Sequence, residues 1–223
     1  MNARKSLVIA CGALAREITT LIELNNWDSM RVQCIPAKIH NTPEKIPDAV
    51  RKLIHRARPQ YSDIYIAFAD CGTGGLLDKV ITEEQVERLA GAHCCEFYAG
   101  SDTFAALEAE EPGTFYLTDF LARHFERLII RELGISAHPE LQDMYFSNYK
   151  RLIYLAQTDN PELLILARKA ANRLNLQFEH RLVGYGQLEH SLNQFHTRCG
   201  STSSSHAGSA RAQPKESPVQ WQN

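Results

Sequence analysis

DIYIAFADCGTGGLLDKVI, residues 63–81, is the stretch on which the fold class turns. Its first seven residues form a short, nearly unbroken apolar run, the pattern of a strand buried on both faces of a parallel sheet. Asp70-Cys71-Gly72-Thr73-Gly74-Gly75 then breaks the strand, and a helix follows. Strand, glycine-rich turn, helix and a further strand is the alternation of an α/β domain with a parallel sheet.

The flanking sequence repeats that alternation. Ser6–Cys11 (SLVIAC) reads as a buried strand ending at Gly12, and residues 13–24 place Leu14, Ile18, Leu21 and Ile22 at helical spacing. Residues 31–36 form a second strand. After it, Thr42 is the expected N-cap of a helix with Pro43 at its first position and Ile46, Val50, Leu53 and Ile54 on its buried stripe. Further on come a strand over 114–117, helical regions over 119–133 and 139–149, a strand over Arg151–Ala156, a helix over Pro161–Leu174 capped by Asn160, and a strand over 178–183. The segment HCCEFYAG, residues 93–100, reads as a strand by propensity. A short strand over 86–91 with a helix opening near Cys94 is preferred, because it brings the thiols to one sheet edge and sets one at a helix N-terminus, where thiolate is favoured. The expected architecture is one α/β domain, Rossmann-like, over residues 1–198, with a mainly parallel sheet flanked by helices. From 199 to 223 the composition turns to Ser, Gly, Ala, Gln and Pro, which predicts a disordered tail.

With 223 residues, 44% of them hydrophobic, the chain can bury a full core, and a formal charge of −2 offers no basic footprint for nucleic acid or an anionic membrane. The first apolar run, residues 7–14, is too short to span a bilayer and is followed at once by Arg16 and Glu17, so a cytoplasmic location is expected. Six cysteines in a domain of this size then read as free thiols rather than a disulfide framework. There is no nucleophile elbow, zincin helix or kinase signature.

Strand ends are where an α/β protein assembles its chemistry. Cys11, Cys71, His93 and Cys95 lie at such ends and form a Cys₃His set, which suits tetrahedral zinc. Were one of them not a ligand, the open position would accept water or a substrate thiol. Packed, inert thiols beside a surface histidine are the alternative. The Gly72, Thr73, Gly74 and Gly75 loop can present backbone N–H groups to an anion, yet it lacks the lysine of a phosphate loop. It is expected to line the substrate pocket, as is His40 unless that side chain sits in a solvated turn. The ligand set predicts loss of metal on Cys71→Ser and Cys95→Ser, and retained metal on Cys34→Ser and Cys94→Ser.

The segments ACGALAREI, IHNTPEKI, ADCGTGG, GAHCCEFYAGS, EPGTFYLTDFLARHFE and a terminal GYG, in that order, resemble an uncharacterised prokaryotic domain-of-unknown-function family. The resemblance runs from about Leu7 to Leu188. Cys11, His40, Cys71, His93 and Cys95 match its pattern, whereas the position of Cys94 is commonly acidic there, which speaks against Cys94 as an essential ligand. Such genes often lie near corrinoid-dependent methyltransferase components and their reductive activators. The resemblance therefore implies a zinc-thiolate protein of one-carbon metabolism, an enzyme or accessory factor in corrinoid-linked methyl transfer, with a corrinoid protein or methyltransferase as partner and a small-molecule substrate. A non-enzymatic metal or corrinoid carrier or chaperone, and a thiol-redox protein using Cys71 with Cys94 or Cys95, are the competing expectations.

Overall fold

A computed structural model of the chain describes residues 5–201 and 219–221. The class is α/β with parallel pairing throughout, but the strands form two sheets where one was expected, and the chain gathers into two compact units, 1–94 with 188–223 and 95–187. Pairing between strands distant in sequence is a tertiary choice that no local pattern encodes.

In the first unit, β1 (Ser6–Cys11), β2 (Met30–Ile35), β3 (Asp63–Ala67) and the two-residue β4 (Glu87–Arg88) form a parallel sheet in the order β4-β3-β1-β2. β1 is buried along its whole length because strands flank it on both sides and the apolar stripes of helices cover its faces. Those helices are α1 (Ala15–Leu24), α2 (Ile46–Ala57) and α3 (Leu76–Glu83). On α2 the buried residues Ile46, Val50, Leu53, Ile54 and Ala57 recur at helical spacing. Thr42 does not cap it; a 3₁₀ turn, Pro43–Lys45, intervenes, and the Thr42 side chain makes no capping bond. Arg51 bridges α2 to α3 through Glu83 and Glu84, at 2.5 and 3.0 Å. Arg88 grips Asp78 with two nitrogens at 2.6 and 2.9 Å, fixing β4 against α3.

The second unit opens with α4 (Glu96–Ala99) and α5 (Ser101–Glu110). Its sheet is β5-β6-β7, from Thr114–Thr118, Arg151–Ala156 and Gln177–Leu182. α6 (Asp119–Phe125) widens into a π-helical stretch over Glu126–Arg131, so the regular helix expected over 119–133 is shorter; α7 is Leu141–Phe146 and α8 Pro161–Leu174. Asn160 caps α8 as expected, its carbonyl oxygen accepting from Glu162 N and Leu163 N at 2.9 and 3.2 Å. Leu152, Tyr154 and Ala156 on one face of β6 pack into the main core with Leu163, Ala167 and Ala171 of α8.

The chain ends its described course in α9 (Gly186–Ser201), a helix not foreseen in the sequence, and β8 (Val219–Trp221), which pairs in parallel with β2. Of the expected disordered tail, 202–218 and 222–223 lie outside the described residues; 199–201 close α9. In the first unit α9 stacks Phe195 on Tyr65 and His196 on Trp27, with ring centroids 5.1 and 5.2 Å apart. Gly186 starts this helix at φ +48°, where an added Cβ would strike the carbonyl oxygens of Tyr98 and, at 2.6 Å, Phe97. Gly186→Ala combines a left-handed backbone with a clash against immovable backbone, and is expected to destabilise by roughly 2–3 kcal/mol in a denaturant titration. A midpoint equal to that of the wild type would show that the 96–99 turn yields freely. No helix among the described residues is long and apolar enough to cross a membrane.

Candidate metal centre

All strands of the first sheet run the same way, so the segments leaving β1, β2, β3 and β4 emerge at one edge. The chain moves from β1 outward to β2, then crosses back to place β3 on the other side of β1. That reversal makes the carboxyl ends of β1 and β3 a topological switch point, the place where open α/β sheets bind their ligands. Each of the four segments brings one soft donor: Cys11, His40, Cys71 and Cys94.

Cys11 is the last residue of β1 and wholly buried. Its sulfur accepts the N–H of Ala13 at 3.3 Å, which holds the side chain against the 3₁₀ turn Gly12–Leu14. His40 lies in the 3₁₀ turn Ala37–Asn41 after β2. Its Nδ1 is 2.8 Å from the Ala37 carbonyl oxygen, both ring nitrogens are 3.9 Å from Cys11 Sγ, and the ring lies nearly parallel to Phe68. Cys71 follows β3 with φ +49°, an uncommon conformation for a side chain with a Cβ. Backbone bonds from Asp70 N to Gly91 O and Cys71 N to Ala92 O, at 3.0 and 2.9 Å, prolong the β3–β4 pairing past both strand ends. They bring Cys71 beside Cys94, sulfur to sulfur 3.3 Å.

Ligating atoms of Cys11, His40 and Cys94 all lie within 4.8 Å of one another, the one such group of three or more donors among the described residues. Cys71 adjoins it through Cys94. The group is thus Cys₂His with Cys71 beside it, and of the expected donors Cys11 stands in it while His93 and Cys95 do not. His93 is exposed, and Cys95 begins the second unit, packed against the Leu107, Ile153 and Leu155 cluster. The helix of this region starts at Glu96, so Cys94 sits in the turn before it rather than on it.

The neighbouring Cys94 thiol and burial raise Cys71, and the hydrogen bond with Cys11 raises Cys94. Burial disfavours the His40 imidazolium, but the hydrogen bonds with Cys71 and Cys94 outweigh that and raise it. Cys34, by contrast, is a lone core thiol pushed up to about 12 by burial.

Gly72, Thr73, Gly74 and Gly75 do not present a free anion cradle. The Asp70 carboxylate accepts from Thr73 Oγ1, Gly74 N and Gly75 N at 2.5, 3.1 and 2.9 Å. Those hydrogen bonds to the ionised form outweigh the opposing effect of burial and hold Asp70 below the usual carboxylate range. The loop has its own anion, and its role is to hold Cys71 in place; Gly72 lies against Pro43, 3.7 Å from where its Cβ would be.

Sequence reasoning put His40 at the pocket and set Cys94 aside. No curated protein and no solved structure gives a match to this chain. A family model described as "Protein of unknown function (DUF1638)" matches residues 34–192, a span that takes in His40, Cys71 and Cys94 and begins after Cys11.

Proposed function

The chain belongs to this family of unknown function, and from that premise we propose that it is a soft-metal protein that holds zinc through Cys11, His40, Cys71 and Cys94. The observation that carries the proposal is the approach of Cys11, His40 and Cys94 to within 4.8 Å, with a third thiol, Cys71, 3.3 Å from Cys94. An occupied tetrahedral zinc site places its ligand atoms roughly 4 Å apart, from Zn–S bonds near 2.3 Å and Zn–N bonds near 2.0 Å. Thiolate and imidazole select zinc over the hard cations. Nδ1 of His40 faces the Ala37 carbonyl, the kind of partner that orients a ligating imidazole and leaves Nε2 to the metal.

Elemental analysis of untagged protein, purified under reducing conditions, is expected to find one zinc per chain. Protein that stays metal-free after reconstitution with zinc overturns the proposal. Thiols and imidazole bind zinc only after shedding their protons, so affinity is expected to climb as pH rises from 6 to 8. Competition against a chromophoric chelator across that range measures it, and a pH-independent affinity would mean that these groups are not the donors.

Methyl transfer from a corrinoid to a thiol, suggested by the placing of genes of the resembled family near corrinoid-dependent methyltransferase components, is the use we propose for this metal. Zinc would hold an acceptor thiol as thiolate. Turnover of methylcobalamin with a small thiol by the zinc-loaded chain tests that use. Stoichiometric zinc without turnover makes the chain a metal carrier instead.

A further inference from the structure

The sulfurs of Cys71 and Cys94 lie near disulfide-bonding distance. Their 3.3 Å separation must shorten by only about 1.3 Å to reach the roughly 2.05 Å of a disulfide. Neither is locked in a strand. Cys71 stands in a half-buried turn beside exposed Gly72, Gly74 and Gly75, and Cys94 in the half-buried turn before α4. Cys11, by comparison, is wholly buried at the end of β1 with its sulfur engaged by the Ala13 N–H, and Cys34 is wholly buried within β2. The donor cluster thus divides into a fixed half, Cys11 with His40, and a half that can close on itself.

We infer that Cys71 and Cys94 form a redox gate on the metal centre: a peroxide oxidises them to a disulfide, and the zinc leaves. The inference rests on the metal reading given above. In the first step the Cys71 thiolate attacks one oxygen of hydrogen peroxide. The O–O bond breaks, hydroxide leaves and takes up a proton to become water, and Cys71 carries a sulfenic acid. The Cys94 sulfur then attacks the Cys71 sulfur, the S–O bond breaks, the S–S bond forms, and a second water departs. The two thiols have lost two electrons, which reduce the peroxide to water, and the zinc keeps its charge. Two of its four donors are gone, and Cys11 with His40 cannot complete a tetrahedron. Cys71 is the sulfur oxidised first because the glycines of its loop are exposed.

Zinc-loaded, full-length protein treated with hydrogen peroxide tests the gate, with zinc release followed by a chromophoric chelator and disulfides located by peptide mass mapping. The expected result is one zinc released per chain in step with a peptide linking Cys71 to Cys94, reversed by dithiothreitol with added zinc. Cys34→Ser, outside the cluster, is expected to release its zinc and form the 71–94 bond under the same peroxide dose as the wild type does. Zinc retained while the 71–94 bond forms overturns the gate and leaves the metal reading standing, as does zinc released with a different cysteine pair joined. Reduced protein that takes up no zinc at all, yet forms the 71–94 bond, overturns the metal reading and the gate with it.

Discussion

Cys94→Ser is expected to weaken zinc binding by roughly a hundredfold to a thousandfold. A four-donor structural zinc site is worth about 10–16 kcal/mol near neutral pH, so one thiolate's share is about 3 kcal/mol, and each 1.4 kcal/mol is a factor of ten. The serine hydroxyl is smaller and harder than the thiolate, and remains protonated at neutral pH, so it cannot replace that donor. His40→Ala is expected to fall in the same range. Cys95→Ser, one residue along the chain, is the control, because its side chain packs in the second unit against the Leu107, Ile153 and Leu155 cluster. There the cost is a hydroxyl in an apolar setting, about 1–3 kcal/mol of stability, with zinc affinity unchanged. Isothermal titration of zinc into the three reduced variants separates the two ligand sets. If Cys95→Ser loses metal and Cys94→Ser keeps it, the set read from spacing is right and the cluster described above is not the site.

The largest expected effect on stability lies in the second unit. Asp119 follows β5 and is 2% exposed, yet it is ionisable. Its Oδ1 accepts from Tyr154 Oη and Gln157 N at 2.7 and 3.0 Å, and its Oδ2 from Thr158 Oγ1 at 2.6 Å. Its own N–H donates to Gln157 Oε1 at 2.8 Å, so the ends of β5 and β6 are clasped across the sheet edge. Burial and the bond to Asp119 raise the Tyr154 hydroxyl, which stays a donor at any physiological pH. Asp119→Ala strands two buried donors, Tyr154 Oη and Gln157 N, and leaves the exposed Thr158 hydroxyl to water. At about 1–3 kcal/mol for each buried donor, summing to less than their total because they share one site, the loss is on the order of 3 kcal/mol. That is a large fraction of the roughly 5–15 kcal/mol by which domains are stable. Asp119→Asn keeps one carbonyl acceptor and is expected to cost about half as much. Urea titration followed by circular dichroism measures both, and a loss under about 1 kcal/mol for the alanine variant would mean that water replaces the carboxylate.

Much of the fold was readable because its signals are local. Residues 63–69 and Ser6–Cys11 are apolar runs too short for helices, and each became a buried parallel strand. Asn160 before Pro161 marks a helix start wherever it occurs, and α8 begins there. The final helix was readable too, from Leu188, Leu192 and Phe195 at helical spacing, all buried. It went unseen because the polar residues between them blend into the tail that follows. The widening of α6 into a π-helical stretch has no such signal, since its hydrogen-bond slip depends on packing rather than propensity.

The sequence by itself determined the class, the parallel pairing, the gathering of soft donors at strand ends and the chemistry those donors favour. Residue types and short-range periodicity carry all of that. Only the tertiary structure decided that the strands divide into two sheets, because strand pairing across long separations leaves no local trace. It also decided which donors meet. A turn rotates successive side chains to different sides, so whether Cys94 or Cys95 faces Cys71 depends on the bonds from Asp70 and Cys71 to Gly91 and Ala92. His40 joins the cluster, and His93 is left exposed, because the order β4-β3-β1-β2 sets the segment after β2 beside the end of β1.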